Sequence, residues 1–206
     1  MNKNYQISRD KFFDNDEREE ILKTCEEKEI IDKAKARKTW IYRYMLVHLA
    51  LYSGLRVAEI ASLKHGDLYL KSKDQYIHVR NGKRNKSRDV YIDKNLVKHL
   101  KDFIDQKRIW KHSTNSNAPL FNNASDKHVT TTTLHISFKK AIQEAGLREN
   151  LSIHSARHSY ATLLYHKTKN LRYVQDQLGH SNIAMTSLYA NIFPEEKSSL
   201  ANMILD

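Results

Sequence analysis

Between Ile41 and Tyr52 the side chains of Ile41, Tyr44, Met45, His48, Leu49 and Tyr52 follow one another at steps of three and four until Ser53-Gly54 breaks the pattern. That spacing lays a broad stripe of large residues along one helix, and a glycine just past the last of them is the usual left-handed exit. The chain is therefore predicted to build around a core helix with an abrupt end. Helical spacing recurs on both sides of it. Asp14 or Asn15 caps an earlier helix with an acidic first turn and Ile21, Leu22 and Cys25 on one face. Later helices are predicted at Val57 to Leu63, around Leu96, Leu100, Phe103 and Ile104, and at about Thr132 to Ala145, His154 to His166, Leu171 to Leu178 and Ile183 to Ala190. One region breaks the rule: Tyr76 to Val79 and Val90 to Ile92 flank the turn-rich Asn81 to Lys86, a hairpin signal, with Leu68 to Leu70 as a third strand. Only five Gly and two Pro in 206 residues leave too little turn material for an all-β sandwich. The expected fold class is mainly α with a small antiparallel β-sheet, α+β. The polar stretch Lys111 to Asn117 reads as a mobile loop.

Charge is unevenly placed. Lys and Arg number 35 against 24 Asp and Glu, a formal net charge of +11. Asp10 to Asp32 holds ten acids against four bases, whereas Lys71 to Lys111 holds thirteen bases against five acids. The basic segment contains the hairpin, so the sheet is expected to carry a cationic tip toward an anionic partner. No stretch approaches the roughly 18 apolar residues of a membrane span, and Met1-Asn-Lys-Asn opens no apolar signal core. A cytoplasmic or nuclear location is the expectation. The lone Cys25 has no partner for an internal disulfide and reads as a small packed side chain.

Four short segments carry residues suited to one chemistry. Arg56 follows the glycine break at a helix start, where a guanidinium and free backbone N–H groups suit a phosphate, and Glu59 lies one turn on to hold it. His154 and Arg157 are three apart on a helix and can reach one oxyanion. His154 and His158 have the i, i+4 spacing of zinc helices, but Ser155 stands where the usual Glu would be, so no metal site is expected. Gly179 ends a helix and presents His180 at the turn, with Tyr189 nine residues on. A tyrosine with the ordinary pKa of about 10 attacks nothing unaided, but two Arg and two His beside it would stabilise both a phenolate and a pentacoordinate phosphorane.

Taken in order, Gly-Leu-Arg56-Val-Ala-Glu59-Ile, Gly82-Lys83-Arg-Asn-Lys-Ser-Arg, His154-Ser-Ala-Arg157-His-Ser-Tyr-Ala-Thr and Leu-Gly-His180-Ser-Asn-Ile-Ala-Met-Thr-Ser-Leu-Tyr189-Ala resemble the catalytic domain of the tyrosine recombinases, or phage integrase family, over about Trp40 to Phe193. The resemblance implies an enzyme that breaks and rejoins double-stranded DNA without cofactor, metal or ATP. Arg56 and Arg157 would grip the non-bridging oxygens of the scissile phosphate, and His154 and His180 would hydrogen-bond it. Glu59 would support the constellation. Tyr189 would attack phosphorus to form a 3′-phosphotyrosine. Lys83, the lysine after Gly82, would protonate the leaving 5′-oxygen, with Lys86 in the same turn as its rival. Arg84, Lys86 and Arg88 are expected to contact DNA.

A single catalytic domain over residues 1–206 is expected, without the separate N-terminal DNA-binding domain usual in the family, because two helices account for most of the 55 residues before Arg56. Pro194 ends the Tyr189 helix, and residues 194–206 form a tail in which Leu200, Met203 and Ile204 make an apolar stripe. Docking of that tail on a neighbouring protomer or back on its own domain are both open. Two other functions compete: relaxation of supercoils by the same chemistry, as in a topoisomerase, and a non-catalytic helix-turn-helix module at Leu171 to Ala190.

Overall fold

A computed structural model describes residues 11–71, 73–80, 87–180 and 186–188. Its elements run α1 (Asn15–Ala34), α2 (Thr39–Ser53), α3 (Val57–Ser62), a 3₁₀ turn (His65–Asp67), β1 (Leu68–Tyr69), β2 (Tyr76–Val79), β3 (Arg88–Tyr91), α4 (Lys94–Ile109), α5 (Thr131–Glu144), α6 (Ile153–Thr168) and α7 (Leu171–Leu178). The mainly helical architecture with one small antiparallel sheet is as predicted.

Helix starts follow side-chain chemistry. Asp14 caps α1 reciprocally: its Oδ1 accepts from the Glu17 amide at 2.8 Å, and Glu17 Oε2 accepts from the Asp14 amide at 3.1 Å. Asp93, Thr130, Ser152 and Asn170 cap α4, α5, α6 and α7. Helix α2 is buried well beyond one stripe, at Ile41 and at every position from Met45 to Leu51, and it packs against α1, α4, α5 and α6. A helix apolar on most sides belongs at the centre of a core. Cys25 is fully buried in that core, and burial pushes its thiol pKa up to about 12, so it is an inert packed group.

The sheet order is β1-β2-β3, with Ile77 opposite Val90 and Val79 opposite Arg88. Ile77, Val79 and Val90 face the core, while Tyr69, Tyr76 and Tyr91 line up on the other face with Tyr69 and Tyr76 stacked at 4.5 Å. The third strand stops at Tyr69, and β3 begins at Arg88, two residues earlier than predicted, because its pairing with Val79 extends the ladder.

Lys111 to Asn117 is not loose. Asn115 Oδ1 accepts from the Asn117 and Ala118 amides, and the Ser116 and Ala118 carbonyls accept from Gly66 and His65 at 2.9 and 3.0 Å. Just beyond, the wholly buried Lys107 ammonium donates to the carbonyls of Pro119 and Leu120 at 2.7 and 2.9 Å. Among the described residues no helix is long and apolar enough to cross a membrane.

Gly54 ends α2 with φ +61°, and a Cβ there would collide with the Tyr160 ring of α6. Left-handed backbone costs a non-glycine residue about 1–2 kcal/mol before any clash. Gly54→Ala is expected to lower stability by more than that amount in urea unfolding, and a variant of unchanged midpoint would contradict the packing described.

Candidate active site

Four separated segments converge beyond the end of α2. The Ser53 hydroxyl donates to the Leu49 carbonyl and accepts from the Leu55 amide, which turns the chain so that Arg56 becomes the N-cap of α3. From there Arg56 reaches back to Glu59 twice, its amide to Oε2 at 2.8 Å and Nη1 to Oε1 at 2.9 Å. Glu59 also accepts both Nη atoms of Arg88, at 2.8 and 2.9 Å. One carboxylate thus takes four N–H donors, the full capacity of its lone pairs. Burial alone would raise the Glu59 pKa, but the hydrogen bonds and charge of Arg88, then those of Arg56, outweigh it and hold it down to about 2. Glu59 is ionised throughout the physiological range.

The end of α7 supplies the other acceptors. Gly179 adopts φ +63° and stops the helix, leaving its last carbonyls without helical partners. Arg88 Nε donates to the Gln177 carbonyl at 3.0 Å, Arg157 Nη2 to Leu178 at 2.8 Å, and Arg56 Nη2 to Gly179 at 3.2 Å. Each of three consecutive carbonyls, at the negative end of the helix dipole, holds one guanidinium. Arg157 reaches from α6 and also donates through Nη1 to the Gly54 carbonyl, so the turn that releases Arg56 anchors its partner. Three like charges are gathered against acceptors that offset their repulsion. Arg56 keeps 29 % of its side chain exposed, against 11 % for Arg88, so Arg56 is the more available of these two to an incoming anion.

His180 follows directly. Its ring is buried with Nδ1 3.1 Å from the Thr186 hydroxyl. Burial and then the charges of Arg157, Arg56 and Arg88 push its pKa down to about 3, leaving a neutral imidazole. His154 is exposed one turn before Arg157, its ring 5.2 Å from that of His135, and its pKa is lowered by partial burial, His135 and Arg157. His158 is pushed down to about 4 by burial, then by Arg157, His154 and Lys11. The cation cluster disfavours every imidazolium near it.

Of the residues singled out from sequence, Arg56, Glu59, Arg157 and His180 are brought together, and His154 stands beside them on α6. Lys83, Arg84, Lys86 and Tyr189 lie outside the described residues, as does the tail 194–206. Arg88 departs from expectation: it does not face outward as a DNA contact but turns inward onto Glu59 and Gln177. The alternation of β3 carried the signal, since Arg88 shares the face of buried Val90, but a basic run hid it. The motifs include Gly54 and Leu178 but did not announce that their backbone oxygens hold Arg157.

The profile of the phage integrase family matches residues 11–196. A tyrosine recombinase of Thermosipho africanus is 32% identical over 151 residues, 73% of this chain and 50% of that protein. The tyrosine recombinase XerH of Campylobacter jejuni is 30% identical over 175 residues, 84% of this chain and 48% of that protein. Among solved structures, XerH bound to a palindromic difH substrate in a post-cleavage complex superposes with a TM-score of 0.74 at 26% identity, over 95% of this chain and 53% of that one. The chain spans about half the length of the curated relatives it matches.

Proposed function

The chain belongs to the phage integrase family, and from that membership we propose that it is a site-specific recombinase that cleaves and rejoins double-stranded DNA through Tyr189. The phenolic oxygen of Tyr189 attacks phosphorus, its proton leaves for a base or water, and the P–O5′ bond breaks. Lys83 protonates the departing 5′-oxygen. Arg56 and Arg157, held on the helix end through some of their five N–H groups, offer others to the non-bridging phosphate oxygens and offset the charge that grows in the transition state, the work that Mg²⁺ does in other phosphoryl transfers. Neutral His180 and His154 hydrogen-bond the same oxygens. Rejoining reverses the sequence with another 5′-hydroxyl, the phosphodiester energy being kept in the phosphotyrosine.

The convergence of Arg56, Arg157 and His180 on one helix end, with Glu59 as counter-ion, is the observation that carries this reading. Binding to DNA phosphates alone would not call for arginines gathered on one carboxylate and one helix end beside His180. The direct test is a protein–DNA band that survives denaturing electrophoresis after incubation with nicked duplexes of randomised sequence, in which loss of the short downstream strand traps the covalent step. Failure of the protein to yield any such band would sink the proposal.

In the same reading the protein acts at the nucleoid in the cytoplasm, and protomers assemble on DNA through the tail 194–206. Exposing Leu200, Met203 and Ile204 forfeits about 1.5 to 3 kcal/mol each relative to full burial, which favours a docked tail. Sedimentation velocity is expected to show a monomer alone and a larger species on duplex DNA, with the larger species lost on deleting Ser198 to Asp206. Identical sedimentation of intact and shortened proteins on DNA would rule out this role for the tail.

A further inference from the structure

We propose that Arg88 is a positioning residue of this site: it holds Glu59 in the plane that aims Arg56, and it fastens the strand leaving residues 81–86 to the end of α7. The inference rests on the cleavage reading above and assigns a residue that the motifs place elsewhere.

Glu59 by itself is a poor guide for Arg56. It sits three residues along the same short helix, and its bonds to the Arg56 amide and Nη1 give it no anchor outside that helix, so the two side chains are free to swing together. The two parallel bonds from Arg88 Nη1 to Oε1 and Nη2 to Oε2 remove that freedom, since a fork-to-fork pair fixes both plane and distance. Oε1 then presents its remaining lone pair to Arg56 Nη1 and Oε2 to the Arg56 amide. The aim of Arg56 is thus set from outside its own helix.

Arg88 is itself held. Its Nε bonds the Gln177 carbonyl, and its side chain lies so close over Gly179 that a Cβ there would stand 2.9 Å from Cδ and Nη1. It is also the first residue of β3, paired with Val79 as the last rung before the segment that carries Lys83. One side chain therefore ties three elements that must keep register: α3 with Arg56, α7 with its acceptor carbonyls, and the hairpin. With all three guanidinium nitrogens engaged inward and 11 % of the side chain exposed, Arg88 is not offered to DNA.

The test compares wild type, Arg88→Gln, Glu59→Gln and the double variant in single-turnover adduct formation on the randomised nicked duplexes. It adds equilibrium binding to the same DNA and ¹⁵N NMR of the Arg56 Nε–Hε group. Loss of an outer partner is expected to lower the rate constant of the reactive fraction by about 10- to 100-fold. A purely structural role would lower the reactive fraction and leave its rate constant alone. The double variant is expected to be no slower than Glu59→Gln, because both changes cut one relay. Affinity and its salt dependence should be unchanged, whereas a lost phosphate contact would reduce the salt slope by about 0.9. The Arg56 signal should move.

A wild-type rate constant, a reduced salt slope, effects that multiply in the double variant, or an Arg56 signal that stays put would each overturn the proposal. Absence of any adduct from wild type would instead remove the cleavage reading, and the Arg56 signal would then decide the role of Arg88 alone. If Arg88→Gln is too unstable to assay, Arg88→Lys keeps the charge without the fork and is expected to show the same defect at smaller size, with a wild-type rate constant again counting against the proposal.

Discussion

Tyr189→Phe abolishes the covalent adduct and leaves DNA affinity as it was: this is the largest effect expected of any single change. The substitution removes only the oxygen that the proposed mechanism uses as its nucleophile. Loss of the nucleophile in a serine protease, which also works through a covalent intermediate, costs on the order of 10⁶-fold, and a fall of that size leaves nothing visible on a denaturing gel. Binding should survive because it rests on phosphate neutralisation by many Lys and Arg side chains. Electrophoresis of the adduct beside a binding isotherm on the same nicked duplexes checks both halves. An adduct formed by the Phe variant would move the nucleophile elsewhere, and Tyr173 on α7 is the first candidate, with 37% of its surface exposed.

Arg157→Lys is the second large effect, and it separates charge from geometry. The guanidinium of Arg157 spans two carbonyls, Gly54 and Leu178, that belong to different segments. A lysine ammonium keeps the charge but cannot hold the same planar bridge. Removal of one preorganised donor from an oxyanion site typically costs about 10² to 10³ in rate. We expect a fall of that order in single-turnover cleavage, with DNA affinity and its salt slope retained because no charge is lost. Cleavage by Arg157→Lys at the wild-type rate would show that the fork is dispensable.

How much of this could be read beforehand differs by kind of residue. The stripe from Ile41 to Tyr52 and its stop at Gly54 were legible because period and glycine both report local backbone geometry, and α2 ends where they say. Arg56, Glu59, Arg157 and His180 were legible because a motif names side chains. Arg88 was not, because a count of charges assigns every base in a run to solvent, while the pleat of β3 turns alternate residues inward. The acceptors at Gln177, Leu178 and Gly179 are backbone atoms, and no residue type announces which carbonyl a helix leaves open to a distant side chain. Lys111 to Asn117 failed for the same reason: Ser, Thr and Asn suggested mobility, but the amide of Gly66 claims the Ser116 carbonyl and that of His65 the carbonyl of Ala118 just beyond.

The end of α7 has a consequence for how this site can be damaged. A single helical turn supplies acceptors to Arg56, Arg88 and Arg157 together, so these cations stand or fall as a set. Fraying that turn does not leave a weakened site with two good arginines. It takes an acceptor from all three guanidinium groups at once, although Arg56 and Arg88 keep Glu59. Local unfolding of these eight residues therefore disturbs all three arginines together, and a substitution that loosens α7, such as one at buried Val174, is expected to lower the reactive fraction of the protein.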